Sequence, residues 1–174
     1  WGERMKATGE AWYPTLAAWL YTEGFAAPPR RVRLVIKEGD FVAYAAGGTV
    51  TCSAKWFRAH PEDRGAVVHE LIHVIQRYRG NNPGWLTEGI TDFFRWWQYE
   101  PPSKRPRLNP DRIHYTNAYQ PTAGFLAWLE STQSPGIVVA LHQACRARAY
   151  RPQIFKERTG RDIDALWAEF VAHL

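Results

Sequence analysis

The sequence predicts an α+β fold with a small N-terminal β-sheet and a helical C-terminal half. Segments with strand character are confined to residues 31–54, and helical periodicity dominates from Gly65 onward. Strands followed by a run of helices are typical of the α+β class. The chain has 174 residues, 45% of them apolar and nine of them Trp, which suits a single hydrophobic core. We therefore expect one domain over residues 1–174.

The N-terminal part begins with a predicted helix near residues 3–21. Trp12, Leu16 and Trp19 form its apolar stripe. Gly47-Gly48 then separates two short apolar segments, which is the pattern of a β-hairpin. The expected strands are Arg31–Lys37, Phe41–Ala46 and Thr49–Ala54.

Two helices and a proline-rich loop follow the predicted sheet. One helix spans Gly65–Tyr78, and turn residues at 79–84 separate it from a second helix that begins at Pro83 with Asn82 as its N-cap. The segment Glu100–Pro110 holds four prolines among basic residues and reads as a loop. Three further helices are expected at Tyr119–Ser131, Gly136–Tyr150 and Ile163–His173.

The helix at 65–78 carries the most informative motif, His69-Glu70-Leu71-Ile72-His73. Residues four apart lie on one helix face, so His69 and His73 can direct two imidazoles at one ion. Zinc favours such nitrogen donors, and a catalytic zinc takes three protein ligands. Glu70 is placed to act as a general base toward water. The motif therefore predicts a metal site and hydrolysis of an amide bond.

The next helix carries two acids four residues apart, Glu88 and Asp92, on a mostly apolar surface. Buried carboxylates need partners. One can supply the third zinc ligand, and the other can accept the free N–H of a ligating histidine. Glu88 and Asp92 can exchange these roles on spacing alone.

Hydrolysis also needs a donor to the developing oxyanion and a way to hold the substrate. Tyr119 and Tyr115 are candidates for the donor. If the strand before the metal helix lies at the sheet edge, it can pair with an extended peptide through Thr49, Val50 and Thr51.

These motifs resemble the basic secretory protein family, a group of plant and bacterial peptidases. The resemblance extends from about Arg31 to the C-terminus. Its clearest parts are His69–Gln76, Pro83–Arg95, Tyr119–Glu130 and Thr159–Phe170.

The resemblance implies a zincin-like fold with one catalytic Zn²⁺ at a glutamate-type site, as in thermolysin-like peptidases. It implies His69, His73 and Glu88 as metal ligands, with Asp92 hydrogen-bonded to a ligand. It points to Tyr119 rather than Tyr115 as the oxyanion donor. The family name also implies secretion, and we expect a secreted, periplasmic or cell-envelope protein whose signal peptide is not in this sequence.

Charge and composition restrict the remaining classes. The net charge is +5, yet no nucleic-acid-binding motif accompanies it, and no apolar run is long enough to span a membrane. Cys52 and Cys145 are too far apart in sequence for a C-x-x-C metal site, so they are either free thiols or one disulfide.

The sequence thus predicts a monomeric zinc metallopeptidase, an endopeptidase with a peptide or protein substrate. The alternative is a secreted zinc-binding protein without hydrolytic activity that binds cell walls or acts in defence.

Overall fold

The computed structural model describes residues 1–174 and has the predicted α+β architecture. It divides into two compact units, Trp1–Arg77 and Tyr78–Leu174. The first unit contains all three strands, and the second is helical. A single domain over the whole chain stays a prediction.

The first unit agrees closely with the predicted elements and adds one short helix. That helix, α2, begins after Ser53, whose hydroxyl accepts a hydrogen bond from the Trp56 N–H. Its six residues are too few for a periodic pattern to reveal. The elements are α1 (Gly2–Trp19), β1 (Arg33–Lys37), β2 (Ala43–Ala46), β3 (Thr49–Ser53), α2 (Ala54–Ala59) and α3 (Gly65–Gln76).

The three-stranded sheet has the order β1-β3-β2, so β3 is its central strand. The hairpin turn at Gly47 and Gly48, both with positive φ, sets β2 antiparallel to β3. β1 pairs in parallel with the other side of β3, with Arg33 opposite Thr49 and Lys37 opposite Ser53. The condition under which Thr49–Ala54 could pair with a peptide, a position at the sheet edge, is therefore not met, because β1 occupies the second side of β3.

α3 is almost entirely buried and packs against α1 and the sheet. Its Val67 and Leu71 share an apolar layer with Val50 of β3. α1 and α3 lie close together at Gly9, where an added Cβ would be in ordinary van der Waals contact with Leu71 Cδ1, at 3.5 Å. This burial holds the helix that carries the histidines in a fixed position.

The second unit contains five helices, two of which continue into π-helical turns. The prolines at 101–110 form a loop with short 3₁₀ turns, as expected. The elements are α4 (Gly84–Phe93, then π-helical Phe94–Tyr99), α5 (Tyr119–Trp128, then π-helical Leu129–Gln133), α6 (Ile137–Arg146), α7 (Gln153–Thr159) and α8 (Ile163–Ala172).

Two details of this unit differ from expectation. Four helices follow the proline-rich loop rather than three, because α7 has only seven residues and little periodicity. The residue before α4 is Pro83 rather than Asn82. The Asn82 amide instead donates to the Cys145 carbonyl at 3.2 Å, so it joins two segments of the unit.

α4 and α5 approach each other closely because a glycine lies at their contact. A Cβ on Gly89 would lie 2.2 Å from Thr122 Cγ2 and 2.5 Å from Thr122 Cβ. Thr122 is fully buried, and its hydroxyl donates to the Tyr115 carbonyl. Only glycine at position 89 permits this spacing between the two helices.

Neither cysteine forms a disulfide: Cys52 and Cys145 are buried free thiols. No helix combines the length and apolar character that crossing a membrane requires.

Candidate metal and catalytic site

α3 presents both histidines of the motif on one face, as the spacing predicts. His69 is buried and His73 is half-buried. Their Nε2 atoms lie 3.2 Å apart. Two nitrogens bound to one tetrahedral ion at about 2.0–2.1 Å would be about 3.3–3.4 Å apart. The side chains therefore already have a separation that suits a shared metal ion.

The His73 ring is held by Gln76, one turn further along α3. His73 Nδ1 lies 2.8 Å from Gln76 Oε1. An amide oxygen only accepts, so Nδ1 carries the proton and Nε2 keeps its lone pair for a metal. Gln76 is itself only 1% exposed, so its side chain is held by the surrounding residues. The hydrogen bond to its amide oxygen therefore fixes the orientation of the His73 imidazole.

The candidate ligand set is completed by a carboxylate from α4. One ligand atom from each of His69, His73 and Glu88 lies within 4.8 Å of the others. Two imidazoles and one carboxylate are a donor set that zinc accepts at catalytic sites. The cluster is thus compatible with a metal ion.

Glu70 lies beside His69 on α3 and is 7% exposed. Its negative charge acts on Cys52, which is fully buried on β3. Two causes raise the pKa of the Cys52 thiol to about 12: burial is the larger and the negative charge of Glu70 is the smaller. Cys52 therefore stays protonated at neutral pH and offers no thiolate to a metal or a substrate.

Asp92 lies one turn after Glu88 on α4 and is buried, 4% exposed. A carboxylate at this depth needs a hydrogen-bonding or charged partner. Its chain neighbours Thr91 and Phe93 are also buried. The position agrees with the prediction of two acids on one helix, and its role stays a prediction.

The two candidate tyrosines differ in their surroundings. The Tyr115 hydroxyl donates to Asp164 Oδ1 at 2.9 Å. Burial, and to a smaller extent this hydrogen bond, raise the pKa of Tyr115. Tyr119 is 51% exposed at the start of α5. The Tyr115 hydroxyl is therefore hydrogen-bonded within its own unit, whereas Tyr119 lies at an exposed position.

The backbone at Tyr119 is unusual. Ala118 has φ 65° and Tyr119 has φ 46°, a region that residues with a Cβ rarely adopt. Such conformations cost about 1–3 kcal/mol each and are found where the surrounding structure imposes them. Tyr119 thus projects from a constrained bend whose geometry nothing in the sequence signals.

The other histidines have local structural partners. Tyr78 OH and His142 Nδ1 lie 3.0 Å apart, and His114 Nδ1 lies 2.7 Å from Thr116 Oγ1. His60 stacks on Trp56 at 4.0 Å between ring centroids. His173 Nδ1 lies 2.7 Å from the Glu169 carbonyl oxygen. Each of these four rings thus has a partner within its own unit.

The predicted substrate-binding residues Thr49, Val50 and Thr51 lie on central β3. Their main chain is paired with β1 on one side and with β2 on the other. They therefore cannot accept a peptide by strand addition, which requires unpaired main-chain groups. The two edges of the sheet belong to β1 and β2.

The sequence interpretation missed Gln76. Its signal was present, because a Gln three residues after His73 on one helix faces the same side. β2 as an edge strand carried no such signal, because strand order depends on pairing between distant segments.

Comparisons with known proteins give one match. The family model BSP, described as a peptidase of plants and bacteria, matches residues 11–170. No curated protein and no solved structure matches. The matched range contains the histidine motif, both candidate acids and both candidate tyrosines.

Proposed function

Because the chain belongs to the BSP family of plant and bacterial peptidases, we propose that it is a zinc-dependent endopeptidase. The observation that carries the proposal is the His69, His73 and Glu88 cluster. Glu70 follows His69 directly in the chain. The family description supports peptide-bond hydrolysis, and the donor set supports zinc as the metal.

His69, His73 and Glu88 would hold the ion. When bound, zinc supplies Lewis-acid chemistry that makes water acidic near neutral pH. The proton on His73 Nδ1, held by Gln76, leaves the Nε2 lone pair directed toward the site. Asp92 would accept the free N–H of a ligating histidine and so fix the orientation of that ring.

Glu70 would take the proton from the attacking water and deliver it to the nitrogen of the leaving amine. Its burial supports this role, because a carboxylate that is poorly solvated is a stronger base toward a nearby proton. The pairing of a general base with the residue next to a ligating histidine is the chemistry that H-E-x-x-H provides.

Tyr119 would donate its hydroxyl hydrogen to the developing oxyanion. Its exposure leaves it accessible to substrate, whereas the Tyr115 hydroxyl donates to Asp164. Loss of one such donor lowers the rate by about 10²–10³-fold.

The peptide would be held by β2 rather than by β3. β2 (Ala43–Ala46) pairs only with β3, and it packs against α3, the helix that carries the histidines. An extended substrate can pair with main-chain groups on its open side. The substrate is then a peptide or protein in extended form, and we expect the enzyme to act as a secreted or cell-envelope monomer.

Glu70→Gln tests the mechanism, with casein and a peptide library as substrates. We expect the variant to retain bound zinc and to lose hydrolysis by at least about 10²-fold. Glu62→Gln, at an exposed position shortly before α3, is the matched control and should keep full activity. Cleavage at the parent rate by Glu70→Gln would exclude Glu70 as the base.

Chelation of the metal distinguishes the proposed peptidase from the alternative, a zinc-binding protein that binds cell walls without hydrolysis. A peptidase loses its activity when a chelator removes the metal. Binding to cell-wall polysaccharide that survives chelation, with no turnover of any peptide by the parent protein, would favour the binding protein.

A further inference from the structure

The second unit contains an open cavity of about 540 Å³ that the proposed peptidase chemistry does not use. Its walls are aromatic and apolar, with Trp97 from the π-helical turn after α4, Trp128 from α5 and Phe170 from α8. Cavities of about 300–1,000 Å³ with such walls are the usual size for small-molecule sites.

Gly124 of α5 lets three side chains that line the cavity pack close to the helix backbone. A Cβ at position 124 would lie 2.6 Å from Leu108 Cδ1, 3.4 Å from Trp97 and 3.5 Å from Phe170. The three side chains therefore converge over bare backbone. Flat aromatic walls around such a floor favour a flat aromatic ligand, which can stack on the rings.

The charges at the cavity decide the polarity of the ligand. Arg105 and Glu130 are its two ionised side chains. Glu130 accepts hydrogen bonds from the Gly136 N–H at 2.6 Å and the Val138 N–H at 3.1 Å. Both of its carboxylate oxygens are therefore hydrogen-bonded to backbone groups at the N-terminus of α6.

Arg105, by contrast, has no anionic partner. It is exposed, and its guanidinium lies over the face of Trp97, 5.9 Å from the ring centroid. The neighbouring cation, Lys104, pairs with Glu100 at 3.2 Å. The cavity thus combines stacking surfaces with one guanidinium that is in no ion pair, and a guanidinium binds carboxylates in a bidentate manner.

We propose that this cavity is a binding site for a small aromatic carboxylic acid. The ring system stacks against Trp97 and Trp128, and the carboxylate pairs with Arg105. The site is separate from the chemistry of the metal cluster, and the proposal does not depend on peptidase activity.

The test uses naphthylpropionate and its neutral isostere naphthylpropionamide, titrated into the whole protein by calorimetry. We expect the acid to bind about tenfold more tightly than the amide, since a charge-assisted hydrogen bond contributes about 1.5 kcal/mol. Arg105→Gln should abolish this preference and leave amide binding unchanged. Arg107→Gln, an exposed cation of the same loop that does not line the cavity, should keep it.

A second variant tests the stacking surface. Trp97→Leu should weaken both compounds by at least about fivefold, because it removes one aromatic wall. Equal affinity for acid and amide, an unchanged preference in Arg105→Gln, or no binding of either compound would overturn the proposal. Tighter binding of an acetylated dipeptide ending in Phe would instead assign the cavity to peptide C-termini and overturn the small-molecule assignment.

Discussion

Glu88 and Asp92 differ by one helical turn, and their separate roles can be measured at the level of single residues. We expect Glu88→Ala to remove bound zinc altogether, because it deletes one of three ligands. Asp92→Ala should only weaken zinc affinity, by about 10–100-fold, because it deletes a partner of a ligand. Elemental analysis and a chelator competition assay distinguish the two results. The reverse pattern would exchange the roles of the two acids.

Gln76 is a second residue whose contribution is measurable. Gln76→Met keeps the side-chain volume but removes the acceptor from His73 Nδ1, so zinc affinity should fall by about 10–100-fold. Gln76→Glu restores an acceptor and should restore affinity. Gln153→Met, on the exposed start of α7, is the control and should change nothing. An unchanged affinity in Gln76→Met would show that His73 is oriented by other contacts.

At the residue scale, the sequence predicts the candidate metal ligands better than it predicts the residues that position the site. His69 and His73 are readable because the period of the α-helix alone places them together. Ala118 and Tyr119 are not, because their positive φ values are imposed by packing and correspond to no residue preference.

The spacing of α4 and α5 determines where Glu88 lies, and Gly89 sets that spacing. Gly89→Ala would place a Cβ against the buried Thr122, so the helices must separate. We expect a loss of about 1–3 kcal/mol in the free energy of unfolding, with weaker zinc binding because Glu88 shifts. Denaturant unfolding and zinc titration measure both effects.

Gly84 offers the matched control, since it is also a glycine of α4 but a Cβ there meets nothing within 4 Å. Gly84→Ala should be neutral or stabilising by up to about 1 kcal/mol. Equal destabilisation by the two substitutions would mean that helix propensity rather than contact with Thr122 is responsible.

At the scale of elements, prediction succeeded where a segment carries its own periodic pattern. α3 was predicted from Gly65 and begins there, because its apolar residues surround two histidines over three turns. The central place of β3 in the sheet cannot be predicted from the sequence, because the hairpin with β2 is local whereas the parallel pairing with β1 joins segments further apart in the chain. α2 and α7 were missed because each is about two turns or less.

For the whole molecule, burial of Cys52 and Cys145 predicts sensitivity to alkaline pH. Burial raises the pKa of each thiol from 9.0 to about 12. A raised pKa means that the folded state holds the proton more tightly than the unfolded chain does. The stability contribution is then fully present below about pH 9 and is lost as the pH rises toward 12.

We therefore expect Tm to fall between pH 9 and 11, and to fall less steeply when both cysteines are replaced by alanine. Thermal unfolding followed across this range measures the two slopes. Burial also raises the pKa of Tyr150, so part of the slope should remain in the double variant. Equal slopes for the parent and the double variant would contradict the assignment to the thiols.

The two protonated thiols also affect how the protein can be handled. With no cross-link to break, a reducing agent cannot unfold the chain through its cysteines. A dithiol reagent would nevertheless compete for zinc, because thiolates are strong ligands for that ion. If dithiothreitol inhibits hydrolysis while a phosphine reductant does not, the inhibition reports metal withdrawal and not redox control.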